Sequence, residues 1–323
     1  MSQIDVMPVN HQANHIDLVV VGFTGELRAL KLQARSLRLY ASEGMFTHIY
    51  IIVNDNAFSA FRTYFETEIL PEYGVHANCV ELVDYRALTG KPIKKTGWRS
   101  QQALKLLAAR LVNAPQYLLL DSKNHIIRPI DSSTFVSIDG KLRMHQTAIN
   151  PLFRSHFDAA CTYFGVKDGY TIEQALPTTT PLIMSTRAVR QLLDNVERRQ
   201  LDGFMLFFLQ NRSFNEFYFY HAYLLSQPEL FETIYQSRSK TAVVFFGGAA
   251  ETPERIKFLM PALDRQEICC TGVHRHILEV GLEENLQAIA AMWRRFGLVN
   301  SEWEIDYFQT YTPPVKPKKY IFF

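Results

Sequence analysis

Four short apolar runs, each closing on or followed by a polar residue or a glycine and separated by helix-length segments, set the fold class of this chain. They are Ile16–Gly22 (IDLVVVG), His48–Asn54 (HIYIIVN), Asn78–Val83 (NCVELV) and Gln116–Leu120 (QYLLL). Runs that are apolar almost without alternation read as strands buried on both faces. Between them lie helical segments: Thr24 to about Tyr40, Ala57 to about Leu70, and one opening at Gly97-Trp98-Arg99-Ser100 and running to about Val112. Strands alternating with helices predict a mainly parallel α/β sheet. Such sheets bind ligands outside the carboxyl ends of their strands, where the strand order reverses. The residues at those ends are Gly22-Phe23-Thr24, Asn54-Asp55-Asn56, Asp84 and Asp121-Ser122-Lys123-Asn124, which would gather on one edge.

The alternation fades after Asp121. Lys141–Met144 and Leu182–Ser185 read as short strands, the latter after a proline-bracketed loop, Leu176–Pro181. Thr186–Arg199 and the aromatic-rich Ser213–Leu225 read as helices, Ala242–Phe246 as a buried strand, and Leu278–Phe296 as one long helix or two short ones. The expected organisation is a polar lead over residues 1–15, a nucleotide-binding half over 16–125, a half over 126–300 that binds acceptor and completes the site, and a Pro/Lys/aromatic tail over 301–323.

Composition narrows the partners. Lys plus Arg is 34 against 32 Asp plus Glu, so a whole-domain grip on nucleic acid is not expected. The four cysteines, Cys79, Cys161, Cys269 and Cys270, form no metal spacing and read as reduced thiols of a cytoplasmic protein. No targeting signal opens the sequence, and no apolar run reaches the roughly 20 residues of a membrane span. The tail KPKKYIFF has the lysines and rings of a peripheral contact with anionic lipid, and equally those of a packed terminal strand. Aromatic residues make up 13%, an excess that serves either a core or a cleft stacking on sugar faces.

The motifs for dinucleotide binding (GxGxxG), the phosphate loop (GxxxxGK[ST]), the serine elbow (GxSxG) and the zinc helix (HExxH) do not occur. Asp121 at the end of an apolar strand, with Lys123 two residues on, has the position of an Asp-x-Asp pair that binds a cation and a diphosphate, with a lysine in place of the second carboxylate. That lysine can neutralise a diphosphate as a fixed cation; the plain reading is an aspartate capping a turn. Lys94, Lys95 and Arg99, with Trp98 and Gln102, sit at a helix N-terminus, where free N–H groups attract anions. Glu216 lies among rings, where burial would suit it to general-base work, or it completes a capping box with Ser213. His274-Arg275-His276 follows a glycine-bearing turn late in the chain and offers a metal ligand or cations.

With these residues in place, the chain resembles a GT-A type glycosyltransferase, and more closely a group of uncharacterised bacterial glycosyltransferase-like proteins linked to surface polysaccharides. The resemblance runs from about Ile16 to His276 through IDLVVVG, GWRSQQALKL, YLLLDSKNHIIRP, TTTPLIMS, SFNEFYFY and VHRH. It implies a single GT-A-like α/β domain with a mixed, mainly parallel sheet flanked by helices. It also implies a nucleotide-sugar donor and a saccharide or lipid-linked saccharide acceptor, with a cytoplasmic location, at most peripheral on the inner membrane face. Carried onto this sequence, Glu216 and Asp121 become catalytic. Gly22, Thr24, Asn54, Asp55, Lys95, Trp98, Arg99, Gln102, Asp121, Lys123 and His274 become donor-binding, and Thr179, Thr180 and Tyr220 acceptor-binding. A divalent cation, Mn or Mg, would fall to Asp121 and His274, and Lys123 departs from the pattern there. Two other readings stay open: a non-catalytic sugar- or nucleotide-binding protein on the same fold, favoured by Lys123, and a nucleotidyltransferase or phosphohydrolase.

Overall fold

The structure is a computed structural model and describes residues 15–250 and 252–310. The lead, Glu251 and the KPKKYIFF tail with its expected lipid contact lie outside the described residues.

The four apolar runs form strands β1 (Ile16–Gly22), β2 (Phe46–Val53), β3 (Val80–Asp84) and β4 (Gln116–Asp121). They lie parallel in the order β3-β2-β1-β4, and the Leu182–Ser185 strand closes the sheet antiparallel to β4. The expected mixed, mainly parallel α/β architecture is therefore present. Because β2 and β4 flank β1 on opposite sides, the strand order reverses between β1 and β4. Register aligns Val21 with Asp121 and Gly22 with Val53, so the polar strand ends come out level on one edge.

A second sheet grows out of that edge. Two residues after β4, strand β5 (Asn124–Ile126) runs antiparallel to Cys270–Val273, which pairs in parallel with Ala242–Phe245. Val273 N–H donates to the Lys123 carbonyl at 3.1 Å, and His274 N–H to the Phe245 carbonyl at 2.9 Å. These bonds bring the late histidine segment beside the Asp121 turn, about 150 residues away in sequence. This sheet carries its own apolar core around Phe245, Ile277, Trp293 and Phe308, apart from the larger core of the main sheet.

Several local expectations change. The helix expected from Thr24 begins as a 3-10 turn, Thr24–Glu26, and continues as Leu27–Tyr40. The helix expected from Ser213 begins at Glu216, because Asn215, not Ser213, caps it by accepting from the N–H groups of Phe217 and Tyr218. Ser213 and Glu216 thus form no capping box across the helix start. The Leu278–Phe296 stretch is two helices, Arg275–Val280 and Glu283–Arg295, broken at Gly281-Leu282. Helices at Arg154–Phe164, Gly203–Gln210 and Glu302–Thr310 stand where the sequence pattern predicts none.

The aromatic excess is chiefly core. Tyr163, Phe164, Phe204, Phe207, Phe208, Phe214 and Phe219 interlock, with ring centroids 4.7 to 6.4 Å apart. They fill the space between the Arg154–Phe164, Gly203–Gln210 and Glu216–Leu225 helices. All four cysteines are free thiols, three of them buried.

Candidate active site

At the carboxyl edge a single cleft of about 1300 Å³ opens between the main sheet and the second one. It coincides with the reversal of strand order between β1 and β4, as the topology requires.

Its floor is a chain of alternating charges. Lys123 Nζ is paired with Asp121 Oδ2. Asp121 Oδ1 lies 2.7 Å from Lys105 Nζ, and the same ammonium lies 3.1 Å from Glu216 Oε1. Lys105 and Glu216 are only 5% and 3% exposed. The ammonium of Lys105 also sits 4.9 Å from the Phe217 ring centroid. Burial pulls the Lys105 ammonium down, but Asp121 and Glu216 outweigh it and hold it above its ordinary value. Burial likewise pushes the Asp121 carboxyl up, and Lys105 and Lys123 outweigh that, holding it well below the carboxylate range. Glu216 Oε2 is buried with no hydrogen-bond partner, so one oxygen of this carboxylate remains to accept.

Side-chain hydrogen bonds brace the turn that carries Asp121 and Lys123. Asn124 Oδ1 accepts from Asp121 N–H at 2.7 Å and from the Thr180 hydroxyl at 2.5 Å. Gln33 Nε2 donates to the Asp121 carbonyl at 2.7 Å and the Asn124 carbonyl at 3.0 Å. A tight Asp-to-Asn turn is thereby fixed from both sides.

The β1 and β2 ends meet across the mouth. The Thr24 hydroxyl donates to Asp55 Oδ2 at 2.6 Å, and Asp55 Oδ1 accepts from Ala57 N–H at 3.1 Å. Asn54 donates to the Gly97 carbonyl at 3.0 Å and accepts from the Ser100 hydroxyl at 2.8 Å. This ties β2 to the start of the Trp98–Leu107 helix, which enters the cleft with Trp98, 59% exposed, at its mouth.

Ten of the fifteen residues given a catalytic, donor or acceptor role from the sequence therefore line one cleft: Thr24, Asn54, Asp55, Trp98, Gln102, Asp121, Lys123, Thr179, Glu216 and His274. The others stand elsewhere. Gly22 ends β1 behind Leu30, and Lys95 is exposed beside the cleft. Arg99 points away from it. Its guanidinium donates to the carbonyls of Phe208 (2.5 Å), Phe214 (2.5 Å) and Asn211 (2.9 Å) and stacks 4.4 Å from the Phe208 ring centroid. These bonds go to the segment leading into the Glu216 helix, and the same guanidinium donates to Gln102 Oε1 at 2.6 Å, so Arg99 fastens the site rather than meeting a phosphate. Thr180 is buried behind Asp121. Tyr220 is fully buried, its hydroxyl accepting from Ser185 N–H at 3.3 Å.

Two residues of the floor received no role from the sequence. Lys105 sits in an otherwise apolar helix turn, and an isolated lysine among ALKLL is the signal that would have marked it. Glu26 follows the β1 glycines and accepts from the Ser122 hydroxyl; burial raises its carboxyl above the ordinary value, against the pull of Ser122 and Lys123.

A divalent cation does not fit Asp121 here. A hard cation needs oxygen lone pairs, and both Asp121 oxygens already face an ammonium. Among the described residues no three His, Cys, Asp or Glu side chains converge to hold a metal. His274 Nδ1 is occupied by the His276 N–H at 3.2 Å. Burial, then Lys123 and Arg275, push its imidazole below the ordinary histidine value. No helix among the described residues is long and apolar enough to cross a membrane.

No curated protein matches this sequence. Among solved structures, the chain is similar to apo WbbM, described as a bifunctional glycosyltransferase, at TM-score 0.48 and 10% identity over 94% of this chain and 52% of that one. The present chain thus spans about half the length of WbbM. It is similar to the galactosyltransferase LgtC in complex with donor and acceptor sugar analogs, at TM-score 0.45 and 12% identity over 87% of this chain and all of that one. Apo mouse xyloside xylosyltransferase 1 follows at TM-score 0.43 and 12% identity over 80% of this chain and 97% of that one. These neighbours are glycosyltransferases. One family model matches residues 14–245, and by that match the chain belongs to the family of unknown function DUF6492.

Proposed function

We propose that this protein is a glycosyltransferase that moves a sugar from a nucleoside-diphosphate donor to a hydroxyl of a saccharide or lipid-linked saccharide acceptor. The observation that carries the reading is the charged floor of the cleft, Lys123–Asp121–Lys105–Glu216, set at the reversal of strand order. It supplies a cation for a departing diphosphate and, within the same network, a buried carboxylate with one unpartnered oxygen.

In the inverting course the acceptor oxygen attacks the anomeric carbon. The bond to the diphosphate oxygen breaks and its electron pair leaves with the diphosphate. The acceptor proton passes to Glu216 Oε2. The donor lies along Thr24, Asp55, Trp98, Gln102 and Lys123, and the acceptor enters past Thr179. The resemblance of the sequence motifs supports a role in bacterial surface-polysaccharide synthesis on the cytoplasmic side.

The test is a panel of nucleotide sugars assayed for diphosphate release and transfer. Glu216→Gln should keep donor binding and lower turnover by about 10²–10⁴-fold. Full turnover in that variant, or no response to any nucleotide sugar, overturns the reading. A second reading, binding without transfer, is favoured by Lys123 standing where a second carboxylate is expected. Donor binding without turnover in every acceptor mixture would select it.

A further inference from the structure

We infer that the cleft carries the counter-charge for its diphosphate within the chain, on Lys123 and Arg275, and that a divalent cation takes no part in donor binding. This deepens the proposed function and rests on it.

Asp121 is a carboxylate at the position that offers itself to a metal, yet its two oxygens face Lys105 at 2.7 Å and Lys123. The two lysines differ in situation. Lys105 is sealed in, with side-chain exposure of 7%, and is shared with Glu216. Lys123 has side-chain exposure of 20% and lines the cleft. Lys123 can therefore turn from Asp121 to a phosphate oxygen while Lys105 keeps the aspartate paired. Asp121 is never left as an uncompensated buried charge, which would cost several kcal/mol. A metal has no such route. It would have to displace an ammonium from a carboxylate oxygen and then sit beside two positive charges.

Arg275 supplies the second cation. It lines the same cleft, and its guanidinium lies 5.2 Å from the Phe23 ring centroid. Gly25 permits that placement: a Cβ there would fall 2.7 Å from the Arg275 guanidinium. Lys123 and Arg275 line this cleft together with Glu26. A planar guanidinium grips phosphate oxygens through two parallel bonds, and an ammonium grips as a point charge. Together they match a diphosphate dianion without help.

The experiment is titration calorimetry of the full chain with UDP, GDP, ADP and dTDP, in EDTA and again in Mn²⁺. The expected result is one diphosphate that binds with the same Kd, within about twofold, in both buffers. Lys123→Ala and Lys123→Met should each weaken that binding about tenfold or more in both buffers, and Lys123→Arg should restore much of it. Lys123→Asp should make binding depend on Mn²⁺. Binding by the native chain that needs Mn²⁺, or a Kd unmoved by Lys123→Ala, overturns the inference and leaves the donor reading standing. Binding of none of the four diphosphates in either buffer overturns both.

Discussion

The ammonium of Lys105 donates to Glu216 Oε1 at 3.1 Å, joining the last turn of the Trp98–Leu107 helix to the first residue of the Glu216–Leu225 helix. The two residues are 111 positions apart, and both are buried. The same ammonium reaches Asp121, so a single side chain couples the donor end of the cleft to the residue proposed as base.

Removing Lys105 therefore costs more than removing Glu216. Lys105→Ala leaves Glu216 as a buried carboxylate with no cation, and Asp121 with Lys123 alone. The expected loss of stability is about 3–5 kcal/mol. Glu216→Gln keeps the shape and leaves Lys105 paired with Asp121, so about 1–3 kcal/mol is expected. Urea denaturation of both variants checks the order. A smaller loss for Lys105→Ala than for Glu216→Gln would show that the ammonium is not held by these two carboxylates.

Arg99 should behave as a fastener. Its guanidinium holds three carbonyls between Phe208 and Phe214, immediately before the Asn215 cap of the Glu216 helix. Arg99→Ala strips those carbonyls of a charged donor, for about 3 kcal/mol of lost stability. Because the base rides on that helix, kcat should fall while the Kd for diphosphate stays near the native value at a temperature where the variant remains folded. A Kd that weakens with kcat unchanged would return Arg99 to the phosphate.

How much of this was legible in the sequence divides along physical lines. The main sheet was legible because β1, β2 and β4 are buried on both faces and read as unbroken apolar runs. Their polar ends were legible as site residues because parallel register forces them onto one edge. Arg99 was misplaced by its neighbours: it follows two lysines and a tryptophan, and only the fold reveals the carbonyls behind it. Lys105 was given no role because periodicity marks its helix face as core, and a core position says nothing of a charge whose partners come from β4 and from residue 216. The Arg154–Phe164 and Gly203–Gln210 helices went unseen because rings occupy nearly every turn, which blurs an apolar face. Of the second sheet only the Ala242–Phe245 strand was legible; its pairing escaped because β5 is three residues long and joins a strand that follows about 145 residues later.

Thr179 and Thr180 stand side by side in sequence but have separable roles. Thr179 lines the cleft, whereas the Thr180 hydroxyl is buried against Asn124 Oδ1 at 2.5 Å. Thr180→Val should cost about 1–2 kcal/mol by loosening the turn that presents Asp121. Thr179→Val should leave stability within about 0.5 kcal/mol of native and raise the acceptor KM. Thermal melts with acceptor titrations of the two variants separate the effects. A stability loss confined to Thr179→Val would reverse the assignment.

Acid sensitivity should begin near pH 6.5 and arise from buried histidines rather than from the carboxylates. Burial pushes His125 down to about 3 and His221 down to about 4. His125 packs edge-on against Trp293, and His221 Nδ1 accepts from Leu176 N–H at 2.9 Å, a bond that needs the neutral ring. Above pH 6.5 both rings are neutral in the folded and unfolded chains and pH has no effect through them. As pH falls below 6.5 the unfolded chain takes up protons that the folded chain refuses, so stability drops until the folded values near 4 and 3 are reached. The slope is at most about 1.4 kcal/mol per pH unit for each histidine. Asp121 has a window of the same sign at lower pH: its folded value lies below the unfolded one near 3.8, so its contribution is intact above that pH and lost only below it. Between pH 6.5 and 5, above the window in which the Arg35-paired Glu72 carboxylate is lost, the histidine loss therefore stands apart. Urea denaturation across that range for the native chain and for His125→Gln/His221→Gln measures it. The double variant starts from a lower stability, so the slopes are compared: the native slope should be the steeper, and equal slopes would assign the acid sensitivity to other groups.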